Sequence, residues 1–151
     1  MFKKKKPMMM TRKNGLYLRH VEGKGRGLFC TEDIQADDII EVTPCMIFND
    51  SAEDHVAETV LSDYVFKVKN LSTSLKAWEK IGDGEKISML AMGAASYCNH
   101  AVDPAASVEQ VEEKNTLYAV LTALRDIPKD SEITIHYGRA WMLVHRMLER
   151  Q

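Results

Sequence analysis

Short apolar runs with β-branched and aromatic content, bounded by glycine, proline and aspartate turn signals, carry most of the pattern along the chain. Leu16-Tyr17-Leu18-Arg19-His20-Val21 and Leu28-Phe29-Cys30 read as two strands. The alternating glycines of Glu22-Gly23-Lys24-Gly25-Arg26-Gly27 predict the turn that joins them. Asp38-Ile39-Ile40-Glu41-Val42 and Cys45-Met46-Ile47-Phe48 predict two further strands split by Pro44, whose missing N–H suits an edge or a bend better than a central ladder. Residues 117–124 read as a strand, Ile127-Pro128-Lys129-Asp130 as a turn, and residues 132–136 as the next strand. From 50 to about 69 acidic and apolar residues mix without a period, which predicts loop with short helical turns, and Asp83-Gly84 marks a turn. Residues 85–97, rich in Ala91, Gly93, Ala94, Ala95 and Ser96, read as a helix closely packed on a sheet. Trp141, Val144 and Leu148, with Leu143 and Met147, give a short amphipathic helix over 139–151. The pattern predicts a mostly β fold with short helices.

Length and composition bound this picture. With 151 residues, 45% of them hydrophobic, the chain fits one domain with a real core. A net charge of −2 argues against a general nucleic-acid binder, so no direct nucleic-acid partner is expected and affinity for basic partners must come from local patches. Cys30, Cys45 and Cys98 have no C-x-x-C or short Cys/His spacing, which speaks against a disulfide framework and a structural zinc site; no metal is expected and the thiols read as core filler in a reducing compartment. Lys3, Lys4, Lys5 and Lys6 read as part of a basic, solvated tail over 1–14. The apolar run after them is too short for a signal peptide, and no stretch reaches the roughly 18 apolar residues of a membrane span. A soluble intracellular protein is expected, cytoplasmic or nuclear, with no membrane partner.

Three motifs remain: Gly25-Arg26-Gly27-Leu28-Phe29, Asn99-His100-Ala101-Val102-Asp103-Pro104, and Ile133-Thr134-Ile135-His136-Tyr137-Gly138. Taken singly they are a tight turn, a loop pair with local hydrogen bonds and a strand end. In this order and spacing they resemble the SET domain of protein lysine methyltransferases, and the resemblance covers about residues 15 to 142. Asp63-Tyr64-Val65-Phe66 further resembles a segment of short, stand-alone SET proteins such as those of viruses. The resemblance implies a SET (β-clip-like) fold over 15–138, in which one segment threads through a loop made by the Asn99 and Tyr137 regions, an exception to the rule against knots. It implies protein-lysine N-methylation with S-adenosylmethionine as cofactor. Gly25, Arg26 and Gly27 would let backbone approach the cofactor's methionine part, Asn99 and His100 would hold its amino-acid group and adenine, and Tyr137 would be the active-site tyrosine that also touches the cofactor. Tyr64 would face the target lysine, with Ile135 and Trp141 along the lysine channel and Met142 over the adenine. The sequence departs from the family pattern at Ala101, where the family has Ser, and at Ala105, where it has Asn.

The cysteine-rich modules that finish the active site in larger relatives have no counterpart here, so the helix over 139–151, or a second subunit in a homodimer, is expected to complete the channel. Two other classes stay open: a catalytically silent SET-like interaction module, and a small β-clip binding domain that needs neither Asn99-His100 nor Tyr137. Acidic residues cluster at Asp50, Glu53, Asp54, Glu58 and Asp63, and again at Glu109, Glu112 and Glu113. As solvated faces they mean nothing for function; as the rim of the groove they would attract a basic peptide such as a histone tail.

Overall fold

A computed structural model of the chain describes residues 7–138. Two antiparallel sheets divide the strands. The smaller sheet starts with strands β2 (Leu16–Val21) and β3 (Gly25–Cys30), paired so that Leu16 lies opposite Cys30 and Val21 opposite Gly25. Only Glu22, Gly23 and Lys24 are left to turn the chain, and Gly23 and Gly25 adopt φ of +76° and +81°, a region that an L side chain would strain. Gly25-Arg26-Gly27 is therefore the start of a strand rather than part of the turn. On the other edge of β3 lies β9 (Glu132–Ile133), with Ile133 opposite Leu28. The ladder ends there, earlier than the strand expected over 132–136.

The larger sheet is built on β4 (Ile39–Phe48), one continuous strand of ten residues where two were expected. From Ile39 to Pro44 it pairs with β8 (Thr116–Ala123); from Cys45 to Phe48 it pairs with β6 (Ser88–Ala91). Pro44 sits at the point where the strand changes partner, so its missing N–H interrupts neither ladder midway. β1 (Thr11–Arg12) also pairs with β4, which brings into the sheet two residues expected in the tail. The strand order is β5-β6-β4-β8-β7, with β5 (Val65–Lys67) and β7 (Ala106–Glu113) at its ends. These ends approach each other, since Gln110 Nε2 donates to the Lys67 carbonyl at 2.7 Å, and the sheet curls accordingly.

The core lies inside the curl and includes Leu28, Ile34, Ile40, Met89, Leu117, Leu121, Ile133 and Ile135. Helix α1 (Asp50–Ala57), a 3₁₀ turn at Val60–Asp63 and helix α2 (Thr73–Trp78), which inserts Leu75, fill the segment expected to hold short helical turns and the region after it. The helix expected over 85–97 is absent. Met89 and Ala91 point into the core while Leu90 is only half-buried, the period of a strand, and β6 is captured between β4 and β5; only Ala94–Tyr97 winds, as a 3₁₀ turn. The helix expected over 139–151 lies outside the described residues. No helix among the described residues is long and apolar enough to cross a membrane.

All three cysteines are unpaired, with Cys30 and Cys98 buried and Cys45 half-buried. Burial pushes the Cys45 thiol up to about 12, and drives the Cys98 thiol higher still, with Glu41 and Glu132 adding to the effect. In the unfolded chain these thiols ionise from about pH 8.5 upward. Above that pH the unfolded state binds fewer protons than the folded one, so stability falls as pH rises. The thermal midpoint is expected to drop steadily between about pH 8.5 and 11, and a Cys45→Ala/Cys98→Ala variant, though less stable, should show a flatter drop; equal slopes would remove the thiols as the cause.

Candidate active site

The site begins at a buried carboxylate. Glu41 on β4 is 1% exposed and accepts three hydrogen bonds, from Arg12 Nε at 2.8 Å, Ala94 N at 2.9 Å and Ala95 N at 3.1 Å. A charged group at that depth must be so satisfied. Two of the donors are the first amides of the 3₁₀ turn Ala94–Tyr97, so Glu41 fixes where that turn starts. Gly93 precedes it because a Cβ there would stand 2.7 Å from both Glu41 oxygens. The turn then delivers Tyr97, Cys98 and Asn99 in fixed order.

Residues 132–137 run alongside this segment and are laced to it through the backbone. Ile135 N donates to the Asn99 carbonyl at 3.0 Å and Ala101 N to the Ile135 carbonyl at 2.9 Å. Ala106 N donates to the Thr134 carbonyl at 2.9 Å, and Ala105 N to Thr134 Oγ1 at 3.1 Å. His100 Nδ1 accepts the Tyr137 amide at 3.0 Å, which leaves that nitrogen unprotonated. The Tyr137 hydroxyl donates to the Cys98 carbonyl at 2.6 Å. With its proton given to that carbonyl, the phenolic oxygen can act toward any further group only as an acceptor. Burial pushes the Tyr137 phenol up to about 12, and Cys98, Glu132, Tyr64 and Asp63 add to the effect, so it stays a neutral hydroxyl at physiological pH.

Gly27, Asn99 and Glu132 meet at one point. Asn99 Nδ2 donates to Glu132 Oε1 at 2.7 Å, and a Cβ on Gly27 would stand 2.8 Å from that oxygen and 3.0 Å from that nitrogen. Arg26, one residue before Gly27 on β3, has its guanidinium 5.3 Å from the centre of the Tyr97 ring, which meets Tyr64 edge-on at 5.7 Å. Arg26, Tyr64 and Tyr97 border a cavity of about 560 Å³ walled by apolar side chains such as Leu16, Leu18, Leu28, Leu61 and Met92; Gly27, Asn99, His100 and Tyr137 are not in its lining.

The structure thus brings together Arg26, Gly27, Asn99, His100, Tyr137 and Tyr64. Gly25 stands at the strand start, with no atom near a Cβ built on it. Ile135, expected along a channel, is 1% exposed and belongs to the main core, acting at the site through its amide and carbonyl. Trp141 and Met142 lie outside the described residues. Ala101 and Ala105, where the sequence departs from the family pattern, take part through backbone N–H groups that any side chain would leave in place. The acidic cluster on β7 is misplaced as a groove rim. Glu112 and Glu113 accept the Ser72 and Met8 amides, at the far end of an eight-residue strand whose first residue, Ala106, touches Thr134; that length is about 24 Å. Glu41, Tyr97 and Glu132 are the residues that sequence reasoning missed. A lone carboxylate in the apolar run Ile39-Ile40-Glu41-Val42 was the available signal for the first.

If Glu41 anchors the turn, Glu41→Gln should destabilise the fold by about 1–3 kcal/mol, since an amide oxygen cannot replace two carboxylate oxygens facing donors. It should also speed hydrogen exchange at Ala94 and Ala95 more than elsewhere in the sheet. Exchange that rises uniformly, or not at all, would deny the anchoring role.

Comparison with known proteins agrees with this geometry. The SET domain family matches residues 25–138 of the chain. The chain is 32% identical over 124 residues to a histone-lysine N-methyltransferase of Schizosaccharomyces pombe described as specific for H3 lysine-37, an alignment that covers 82% of this chain and 73% of that one. Among solved structures it resembles a Plasmodium falciparum protein given as a candidate histone methyltransferase, with a TM-score of 0.61, 25% identity, and coverage of 86% of this chain and 98% of the other. It shares its fold with DIM-5, a Neurospora SET domain protein that is a histone lysine methyltransferase, at a TM-score of 0.61 and 20% identity; 85% of this chain aligns, spanning 54% of that one. With a family match over most of its length and the glycine turn, Asn-His pair and tyrosine strand end gathered at one site, the chain belongs to the SET-domain family.

Proposed function

We infer that the protein is an S-adenosylmethionine-dependent protein-lysine N-methyltransferase acting on a basic protein such as a histone. The observation that carries this reading is the convergence of Gly27, Asn99 and Glu132 beside a tyrosine whose hydroxyl is oriented by the Cys98 carbonyl. S-adenosylmethionine suits the residues present. A cavity of about 560 Å³ is within the usual range for a ligand of that size. Its apolar wall accepts an adenine and Arg26 at its border suits a carboxylate, while Gly27, outside its lining, gives its space to the Asn99–Glu132 hydrogen bond. When bound, the cofactor would supply a methyl group on a positively charged sulfur, already activated for transfer to a neutral amine.

The protein's own part is positioning. The target lysine reacts as the free amine, scarce at neutral pH because its ordinary pKa is about 10.4. Tyr137, its proton held by Cys98, offers an oxygen that aligns the amine. A phenol held near 12 does not act as a base at neutral pH, so the lysine proton leaves by another route, to water. Asp63 and Glu132 are close enough for their charge to reach the Tyr137 phenol, and that field favours a cationic side chain on approach. A substrate rich in lysine and arginine fits these carboxylates. A histone substrate would take the protein to the nucleus.

Tyr137→Phe is expected to keep the fold and most cofactor affinity and to lower kcat on a histone peptide by one to several orders of magnitude, through loss of one positioning hydroxyl. For both enzymes kcat/KM should rise with pH as lysine deprotonates, with no inflection from Tyr137 below about pH 11. Turnover within a factor of about two of wild type would exclude Tyr137 from the mechanism. Gly27→Ala, which forces Asn99 and Glu132 apart, should weaken S-adenosylmethionine binding about tenfold or more in calorimetry; unchanged affinity would sink the assigned cofactor site.

A further inference from the structure

Glu41 and Glu132 meet their surroundings differently. Glu41 is buried and has Arg12 and two backbone amides as donors. Glu132, half-buried on β9, accepts a single hydrogen bond among the described residues, from Asn99 Nδ2 to its Oε1 at 2.7 Å. No lysine, arginine or histidine among the described residues lies within ion-pair distance of it. Burial keeps the Tyr137 phenol and the Cys98 thiol neutral, and the charge of Glu132 adds to the effect on both. Glu132 is thus a carboxylate whose one partner is a neutral amide.

That partner is held in one orientation. An ionised carboxylate only accepts, so it admits one flip of the Asn99 amide, with Nδ2 toward Glu132; the other flip would press two acceptor oxygens together with no proton between them. A planar amide carries its oxygen on the side away from its nitrogen, so Oδ1 is turned from Glu132. The pair has little room to shift. The Asn99 carbonyl accepts Ile135 N at 3.0 Å, and a Cβ on Gly27 would stand 2.8 Å from Glu132 Oε1 and 3.0 Å from both Asn99 Nδ2 and Val21 Cγ2. Hydrogen bonds in series polarise one another, and donation to a charged group makes Oδ1 the stronger acceptor.

We propose that Glu132 is a positioning residue for the cofactor's amino group: it fixes the Asn99 amide with its oxygen outward as the acceptor and places a negative charge one amide behind it, so that this corner selects a cationic ammonium. The inference rests on the function inferred above, in which Asn99 meets the amino-acid group of S-adenosylmethionine. An α-amino group, with an ordinary pKa of about 7.7–8.0, is largely cationic at neutral pH. Arg26 suits the carboxylate of the same group, so the two ends of a zwitterion are told apart by charge. A residue that served only to brace β9 against Asn99 would need no charge. Glutamine would brace as well, with either flip of the Asn99 amide.

The test is calorimetry on the full chain with two compounds, S-adenosylhomocysteine and its analogue with hydrogen in place of the α-amino group. Wild type should prefer the amino compound by about tenfold or more, as expected for a charge-assisted hydrogen bond. Glu132→Gln, which keeps the shape but admits both flips, should lose about tenfold or more for S-adenosylhomocysteine while its affinity for the deaminated analogue stays within a factor of about three. Asn99→Ala should lose the same preference, and adding Glu132→Gln to it should cost little more, since one residue acts through the other. Equal weakening of both compounds in Glu132→Gln, or additive losses in the double variant, would reduce Glu132 to a brace and overturn the proposal. A wild type that binds the two compounds equally would overturn it as well, and that result needs no variant to fold. If wild type binds neither compound, the function inferred above falls and this inference with it; methyl transfer without any preference between the two would sink the inference and leave the function standing.

Discussion

The structure depends on one buried carboxylate. Glu41 interrupts an apolar strand, and an ionised group there is tolerable only with donors on every side that water has left. The chain supplies them from two distant places. Arg12 arrives on β1 and covers the outer side, its own side chain 58% exposed; Ala94 and Ala95 arrive on the inner side as the opening amides of a 3₁₀ turn. Removing Glu41 would therefore loosen three segments at once: the N-terminal strand, the turn, and the Tyr97-Cys98-Asn99 run that the turn delivers. Gly93 follows from the same constraint, because no other residue leaves the carboxylate its space.

What the turn delivers is then locked by the segment 132–137. This second constraint is almost wholly a matter of backbone, which explains why Ala101 and Ala105 can stand where the family carries polar side chains. The bonds from Ala101, Ala105 and Ala106 need only an N–H. Two side chains matter because they complete the lacing: His100, whose unprotonated nitrogen holds the Tyr137 amide, and Glu132, which turns the Asn99 amide toward Gly27. The position of the Tyr137 hydroxyl thus traces back through Cys98 and the 3₁₀ turn to Glu41.

Legibility in the sequence followed the physics of each element. The strands at Leu16–Val21 and Thr116–Ala123 are short runs of apolar, aromatic and β-branched residues, and that local signal survived folding. Ser88–Ala91 did not read as a strand because the small residues after it suggested a helix, whereas Gly93 is small for close approach to Glu41 and Ala94 and Ala95 serve it through their backbone amides. β7 was missed because Val108 and Val111 fall three apart, out of phase with a strand at the sheet's end. Pro44 read as a break when it marks a change of partner, a fact about two other strands that local sequence does not hold. The glycine, Asn-His and tyrosine motifs are legible in the sequence and lie near one another in the structure, whereas Glu132 and Tyr97 are joined to them only by tertiary contact.

Charge gives the last step. Summed over the chain it nearly cancels, and that average hides a separation along the molecule. At the site end, Asp63 and Glu132 act on the Tyr137 phenol and would draw in a basic side chain. At the other end, β7 finishes among Glu112, Glu113 and a pocket lined by Lys67, Lys69, Lys76 and Lys86, about 24 Å along the strand. That separation exceeds two Debye lengths at physiological salt, so neither field cancels the other.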